Sequence, residues 1–423
     1  MAQLTDDCFA FSGPLLPLAE MERLIGERVS PVAETERVSL RGARGRVIAA
    51  DVKAPVDLPP FDNSAVDGYA VRYADLRRDS DTRLAIAGRL TAGASAAVAL
   101  KPGQAIRIFT GAAMPRDADT VFMQEDVTVE ADNVIVPKGL PLGANRRLAG
   151  EDVPKGNVVL PAGTVLEPQH IALAAALGLS EIDVRRRLNV AIFSTGDEVV
   201  EPGSPRGGAA IYDANRYLLN ELLARLGAQV TDLGILADDP NKLATGLQAA
   251  AAGHDLVLTS GGVSTGEADH VRSAVERVGK LVFWRVAIKP GRPVAMGVIP
   301  APGGGSAAFV GLPGNPVAVF VTFVRVVKPL LRRLAGARAQ QLTPLPVRAA
   351  FAYKKKKDRR EYVRVALRPG SDGEIEAVKH PQDGAGILTS LTETDGLLEF
   401  AEDVTSIEPG ARVGFLSYAA LIG

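Results

Sequence analysis

Over residues 14–29, PLLPLAEMERLIGERV, apolar positions recur at helical spacing, and the run predicts an amphipathic helix. A second is expected over 39–52, SLRGARGRVIAADV. Residues 52–72, VKAPVDLPPFDNSAVDGYAVR, are proline-rich and then polar, which predicts an ordered loop leading into a strand. From about residue 83 the pattern changes. LAIAGRL, QAIRIFTG, TVFMQEDVTV and NVIVPKG are short β-type runs parted by Gly, Pro and Asp, so a small all-β module is expected at roughly 80–145. GEDVPKGNVVLPAGTVLEP then leads back to a helical pattern. Pro168 suits a first helical turn, and Ile171, Leu173 and Leu177 supply an apolar face.

The region 187–330 alternates strand and helix patterns. NVAIFST, QVTDLGIL, DLVLTS, LVFWRVAI, VAMGVI and AAFVGL read as strands. NRYLLNELLARLG reads as a helix with Asn215 as N-cap and Gly227 just past its end. NKLATGLQAAAAG and HVRSAVERVG are further helices, and a long one from Asn315 meets Pro329. This alternation predicts a mostly parallel, doubly wound sheet with ligands at the C-terminal strand ends. Residues 343–423 turn β-rich again. The expected fold is therefore multidomain α/β plus β. A discontinuous helical module (14–52 and 146–186) carries an inserted β-rich module (53–145), followed by the α/β domain (187–336) and a C-terminal β domain (343–423).

Composition narrows the chemistry. The chain has 423 residues, with Lys+Arg 48 against Asp+Glu 49, so no global attraction to nucleic acid or anionic membrane is expected. The single cysteine, Cys8, excludes an internal disulfide and a Cys-cluster metal site, and fits a reducing cytoplasm. No apolar run of about 18 residues predicts a transmembrane helix. With four histidines, a poly-histidine metal centre or a Ser-His-Asp hydrolase is disfavoured; His170, His254 and His380 read as structural or surface residues. KKKKDRR (354–360) reads as a solvated basic face.

Three strand ends carry candidate chemistry. FSTGDEVV places Ser194, Thr195, Gly196, Asp197 and Glu198 after one strand, and TSGGVSTGEADH places Gly261, Gly262, Ser264, Glu267 and Asp269 after another. GLPGNPVAVF sets Pro313, Gly314 and Asn315 before a helix N-terminus. Backbone N–H groups in such loops can approach phosphate closely. Acids beside bare phosphate would repel it, so a divalent cation such as Mg²⁺ is expected between them. Asp238 and Asp239 fit the same pattern: Asp239 would cap the helix that follows while Asp238 faces the site. In RVAIKPGRP, Arg285 and Lys289 should share one face of an extended strand and, with Arg292, form an oxyanion pocket. Asp62, Asn63, Ser64 and Asp67 read from pattern alone as a turn rich in Asx hydrogen bonds.

PPFDNSAVDGYAVR, RIFTGAAMPRDADTVFMQED, NRRLAGEDV, FSTGDEVVEPG, IYDANRYLL, LTSGGVSTGEADH, FWRVAIKPGRP and GLPGNPVAVFVTF occur in an order that resembles the MoeA-type molybdopterin molybdenumtransferases, the family that includes the gephyrin E domain. The resemblance spans roughly residues 14–420. It implies an L-shaped, four-domain subunit forming a homodimer, with an α/β domain like that of molybdopterin adenylyltransferases. It implies a reaction in which molybdate and adenylylated molybdopterin are substrates, the pyrophosphate link is hydrolysed with Mg²⁺ or another divalent cation, molybdenum is inserted, and AMP is released. It assigns catalytic roles to Asp67, Asp152, Glu198, Asp238, Asp269 and Lys289, with Asp238 and Asp269 at the metal. Thr110, Gly111, Ser194, Thr195, Gly196, Gly261, Gly262, Ser264, Arg285, Arg292, Pro313, Gly314 and Asn315 fall at substrate-binding positions. Asp67 and Asp152 would reach the site from a partner subunit. A molybdopterin adenylyltransferase and recipient molybdoenzymes or their chaperones are the expected protein partners; no nucleic acid or membrane is expected.

Two positions depart from the family pattern: Arg285 stands where a close bacterial form has Lys, and Val66 where Met is common. Competing readings are a molybdopterin adenylyltransferase, a non-catalytic dimeric scaffold, and a preference for tungstate over molybdate.

Overall fold

The computed structural model describes residues 4–5, 8–9, 15–32, 34–94, 99–261 and 270–423. The first helix, α1 (Leu18–Arg28), buries Leu18, Met21, Leu24 and Ile25 on one face, as the helical spacing requires. The expected second helix over 39–52 does not form. Strand β1 (Thr35–Ser39) is followed by a single 3₁₀ turn, Leu40–Gly42, and Gly45 adopts φ +73°. Two glycines within four residues each disfavour a helix by about 1 kcal/mol. Val47 and Ile48 instead bridge to Val165 and Val184.

The inserted module is a six-stranded sheet: β2 (Gly68–Val71), β3 (Thr82–Leu90), β4 (Gln104–Ile108), β5 (Thr120–Met123), β6 (Thr128–Glu130) and β7 (Asn133–Val136), ordered β5-β2-β4-β3-β7-β6. TVFMQEDVTV is thus two strands parted by a 3₁₀ turn at Gln124–Asp126. Helix α2 (Pro168–Ala176) begins with Pro168, and His170 Nδ1 accepts from the Glu167 amide to complete its cap. Strand β8 (Glu181–Arg185) then pairs antiparallel with β1, so the chain closes around the insertion.

The α/β sheet comprises β9 (Asn189–Thr195), β10 (Gln229–Leu236), β11 (Leu256–Ser260), β12 (Lys280–Arg285), β13 (Pro293–Pro300) and β14 (Ser306–Leu312), ordered β10-β9-β11-β14-β13-β12. The first four of that order run parallel, and β13 and β12 are antiparallel additions. Its faces alternate by residue: Val190, Ile192, Leu256 and Leu258 enter one core, and Ala191, Phe193 and Val257 the other. Helices α3 (Asn215–Arg225), α4 (Pro240–Ala251) and α5 (His270–Val278) cover the two faces. Asn215 is not the cap of α3. Asp213 accepts from the Arg216 amide at 3.1 Å, and Asn215 is freed to reach another loop. Gly227 does follow α3 at φ +81°.

The last helix does not stop at Pro329. Helix α6 (Pro316–Thr322) widens into a π-turn at Phe323–Val327 and continues as α7 (Lys328–Leu334). A π-turn just before a proline absorbs its missing donor. The C-terminal strands β15 (Leu345–Ala349), β16 (Arg360–Pro369), β17 (Ile375–Lys379), β18 (Gly396–Phe400) and β19 (Arg412–Ser417) follow the ring β16-β17-β15-β19-β18, closed by the β16–β18 pairing. KKKKDRR is not a free basic face: Arg359 pairs with Glu361, Arg360 with Glu399 and Glu402, and Lys355 donates to the Arg359 carbonyl.

A Cβ at Gly68 would fall inside the carbonyl oxygen of Phe122 on the paired strand, whereas one at Gly26, exposed on α1, would meet nothing. Gly68→Ala should therefore lower stability by about 2–4 kcal/mol. Gly26→Ala should raise it by about 0.5–1 kcal/mol. Thermal unfolding of the two variants checks both signs; equal midpoints would contradict the packing.

Candidate functional site

Four parallel strands end side by side, so the segments that follow them meet. After β9, Thr195 directs its hydroxyl to Asp238 Oδ1 at 3.4 Å, and Asp238 follows β10. Asp239 accepts from the Asn241 and Lys242 amides, both at 2.9 Å, and caps α4. The Lys242 amide, with the Asn241 amide, holds the Asp239 carboxyl below its usual range. Asp238 is left half-buried and turned to Thr195. After β11, the Gly261 amide donates to the Leu312 carbonyl, and a Cβ on Gly261 would lie 3.6 Å from the Thr195 carbonyl. A Cβ on Gly314 would lie 3.9 Å from the Gly261 Cα. Asn215 Nδ2 donates to the Gly314 carbonyl at 2.6 Å, anchoring this third loop to α3. Thr195, Gly196, Asp238, Gly261 and Gly314 thus form one continuous rim.

Strand alternation divides the neighbouring pair. Thr195 faces the rim, while Ser194 is buried in the sheet with its hydroxyl unpartnered. Glu198 is exposed and folds back on Gly196, whose φ of +133° and absent side chain leave room for the carboxylate. Gly262, Ser264, Glu267 and Asp269 lie outside the described residues.

The oxyanion reading of RVAIKPGRP changes. The strand does not run through from Arg285 to Lys289. β12 ends at Arg285, and Ile288–Lys289 leaves the sheet to pair with Arg360–Glu361 of the barrel. Spacing of four then no longer sets one face. Arg285 and Arg292 are exposed. Lys289 alone of the three enters a cleft of about 400 Å³ between the α/β domain and the barrel, beside Pro313 and Asn315. There Lys289 Nζ meets Glu361 Oε2 at 3.2 Å. Tyr353 donates to the same carboxylate at 2.8 Å and Arg359 at 2.7 Å, and Glu361 is 1% exposed. Burial, then the bond to Glu361, pushes the Tyr353 hydroxyl up.

The cleft's second cation is Arg364, buried on β16. It donates to Ser390 Oγ and to the Gln382 and Gly384 carbonyls, and burial lowers its pKa. Sequence reasoning missed Glu361 and Arg364. The available signal was Glu361 and Arg364 among the apolar centre of REYVRVALRP, whose other charges, Arg360 and Arg368, lie toward its ends.

A second cluster sits in the inserted module. Asp67 Oδ1 accepts from the Thr110 amide and hydroxyl, both at 2.8 Å. These two bonds, with Arg107 nearby, hold its carboxyl below the usual range. Gly111 donates its amide to the Ser64 carbonyl. Asp62 is pushed up by burial, but the Ala149 amide and Arg146 outweigh that and hold it low. Asp152 is exposed, with its amide on the Leu58 carbonyl. Among the described residues, Asp67 and Thr110 bond each other and nothing in the α/β domain.

Among the described residues no three His, Cys, Asp or Glu side chains gather as a metal site. Asp238 nonetheless offers carboxylate oxygen beside a hydroxyl and a glycine rim. That donor set suits a hard divalent cation that takes most of its ligands from water and phosphate. His254 is bonded to Ala250 and Thr231, and His380 to Glu393 and Gln382, so neither faces the rim.

Three family models match the chain: "MoeA N-terminal region (domain I and II)" over residues 16–178, "Probable molybdopterin binding domain" over 191–333 and "MoeA C-terminal region (domain IV)" over 346–418. A molybdopterin molybdenumtransferase of Haemophilus influenzae is 37% identical over 411 residues, covering 97% of this chain and 100% of that protein. One from Nostoc is 40% identical over 307 residues, covering 72% and 70%. The crystal structure of a molybdopterin biosynthesis moeA protein from Pyrococcus horikoshii superposes with a TM-score of 0.79 at 31% identity, covering 96% of this chain and 100% of that one. With the rim, the cleft and these likenesses in hand, the chain belongs to the MoeA family of molybdopterin molybdenumtransferases, enzymes of molybdenum cofactor biosynthesis.

Proposed function

We propose that this enzyme takes adenylylated molybdopterin and molybdate, hydrolyses the pyrophosphate link and releases AMP as molybdenum is loaded. The observation that carries this reading is the adjacency of the glycine rim to the Lys289–Arg364 cleft, which share the Pro313–Asn315 loop. The rim offers backbone donors to phosphate, and the cleft offers Lys289 and Arg364 to an oxyanion, beside the acids Glu361 and Asp383. In the hydrolysis, water adds to one phosphorus, the bridging P–O bond breaks, and AMP departs. Molybdate then exchanges one oxygen, as water, for two thiol sulfurs. Mg²⁺ bound at Asp238, with Asp269 of the GEAD motif, would neutralise charge on the phosphates. Thr195 orients Asp238 for that contact. Lys289, steadied by Glu361, and Arg364 would hold molybdate.

Asp67 lies on the inserted module and Asp152 on the segment that returns from it, and among the described residues neither bonds the α/β domain. We propose that they complete the site of a second copy in a homodimer. The exposed Ile211, Tyr212 and Tyr217, 56%, 47% and 48% exposed, form an apolar patch beside α3 suited to such an interface.

Asp238→Asn should fold normally and lose metal-dependent AMP release by about 100-fold or more, as should Asp269→Asn. AMP quantified by chromatography, with and without molybdate, checks this; wild-type rates in both variants would remove these acids from the metal. Lys289→Met should raise the KM for molybdate while AMP release with saturating molybdate changes little. An unchanged KM would take Lys289 out of oxyanion binding.

The partner contribution has its own test. Asp67→Asn and Asp238→Asn chains are each expected to be inactive. Mixed and reassembled in equal amounts, they should regain about a quarter of wild-type activity, because half of the dimers then hold one intact site. No recovery would place Asp67 in the same chain's site.

A further inference from the structure

At the opposite edge of the α/β sheet from the rim lies a larger cleft, of about 820 Å³. It is walled by residues just before β9 and β10 (Arg187, Leu188, Ala228), by the end of α3, by α7, and by Arg44 to Val47 of the first module. Nine cations line it; besides Arg46, Arg185 and Arg186, six remain: Arg44, Arg187, Arg225, Lys328, Arg332 and Arg338. Five of the six spend hydrogen bonds on main-chain oxygens. Arg187 donates to Gly227, Arg225 to Gly423, Lys328 to Leu421, Arg332 to Arg338, and Arg338 to Ala162. Apart from Arg225, whose partner oxygen belongs to Gly423, the last residue of the sequence, none of the six makes an ion pair with a carboxylate among the described residues. By contrast, Arg46 and Arg186, also in the wall, are neutralised by Glu36, and by Glu34 and Asp255. Glu167, the acid in the lining, is engaged in the cap of α2.

The excess charge is partly desolvated. Lys328 is 4% exposed, and burial, with Arg332 and Arg325 adding repulsion, pushes its ammonium down to about 8. Arg332 Nε is buried with no hydrogen-bond partner. In a chain of net charge −1, such a concentration of cations is costly unless an anion shares the cleft. Arginine forks offer paired donors that match phosphate oxygens. The volume falls in the range of small-molecule sites.

We propose that this cleft binds a small polyphosphate, such as inorganic pyrophosphate or a nucleoside triphosphate, at a site distinct from the glycine rim. Bound there, the anion would bridge the first module, the α/β domain and the segment leading to the barrel.

The test uses the full-length protein, EDTA to suppress metal-dependent binding at the rim, and pyrophosphate or ATP titrated by calorimetry at constant ionic strength. The expected result is one saturable site. Arg44→Glu/Arg338→Glu, two exposed positions outside the proposed catalytic machinery, should weaken it at least tenfold and leave AMP release unchanged. Arg332→Gln should weaken it as well, and Asp238→Asn should leave it intact. Three outcomes would overturn the proposal. Binding could be equal in wild type and both cleft variants, which would place the ligand at the rim. Sulfate at matched ionic strength could abolish binding, which would mean diffuse charge attraction. A short single-stranded RNA could bind more tightly than ATP, which would make the surface a nucleic-acid contact.

Discussion

The organisation of the enzyme rests on the parallel pairing of β10, β9, β11 and β14. Parallel strands end on the same side of a sheet, so four separate stretches of sequence deliver their following residues to one edge. Segments that emerge from strands less than 5 Å apart leave little space between them. Gly261 and Gly314 fit where their loops touch, and Asn215 ties the outermost loop to α3. Even so, a Cβ at either position would make only ordinary contacts, at 3.6 and 3.9 Å, so it is the φ of +85° at Gly261, not crowding, that selects glycine there.

A second constraint joins the α/β domain to the barrel. Ile288–Lys289 leaves the sheet and pairs in parallel with Arg360–Glu361. This brings Lys289 within reach of a carboxylate that is 1% exposed and already held by Tyr353 and Arg359. The Lys289 side chain is about half exposed while Glu361 is buried and also held by Tyr353 and Arg359, so the carboxylate is the fixed member of the pair. Glu361 therefore fixes where Lys289 can stand. The cleft's geometry comes from the barrel even though its motif, AIKPG, belongs to the α/β domain.

Much of this was legible in the sequence, for identifiable reasons. Strands whose residues alternate between two cores, such as Val190 to Phe193, announce themselves by apolar continuity. Asp239 caps α4 as expected, because a carboxylate before Pro240 at a helix start has amides to accept from. The failures were places where a non-local partner decides. The 39–52 segment carried an apolar pattern that a helix could use, but Gly42 and Gly45 and the bridges to Val165 and Val184 favoured an extended path. The even spacing of Arg285 and Lys289 implied a shared face only if the strand ran through, and the barrel draws it aside. Glu361 and Arg364 stood out only as charges in a largely apolar strand, because Lys289 lies in another domain and Ser390, Gln382 and Gly384 lie in a distant segment.

The two edges of the α/β sheet carry opposite electrostatic character, and this follows from the chain's own economy of charge. The rim edge gathers Asp238, Asp197 and Glu198 beside glycine loops, so an anionic substrate is met there only with a cation between. The far edge gathers Arg187, Lys328 and Arg332 with no Asp or Glu ion pair to answer them among the described residues, while Arg225 turns to an oxygen of Gly423, the last residue of the sequence. Helix dipoles do not account for the difference. α6 does direct an N-terminus toward the rim, and α3 ends near the cationic cleft, where negative partial charge helps hold cations. A dipole of about half a charge offsets only part of several closely set cations. Their cost is instead visible in the depressed Lys328 and the unpartnered Arg332 Nε. A protein with nearly balanced totals could have placed acids among these residues, as it did for Arg46 and Arg186. That it left this group unanswered is the physical reason to look for an anion there.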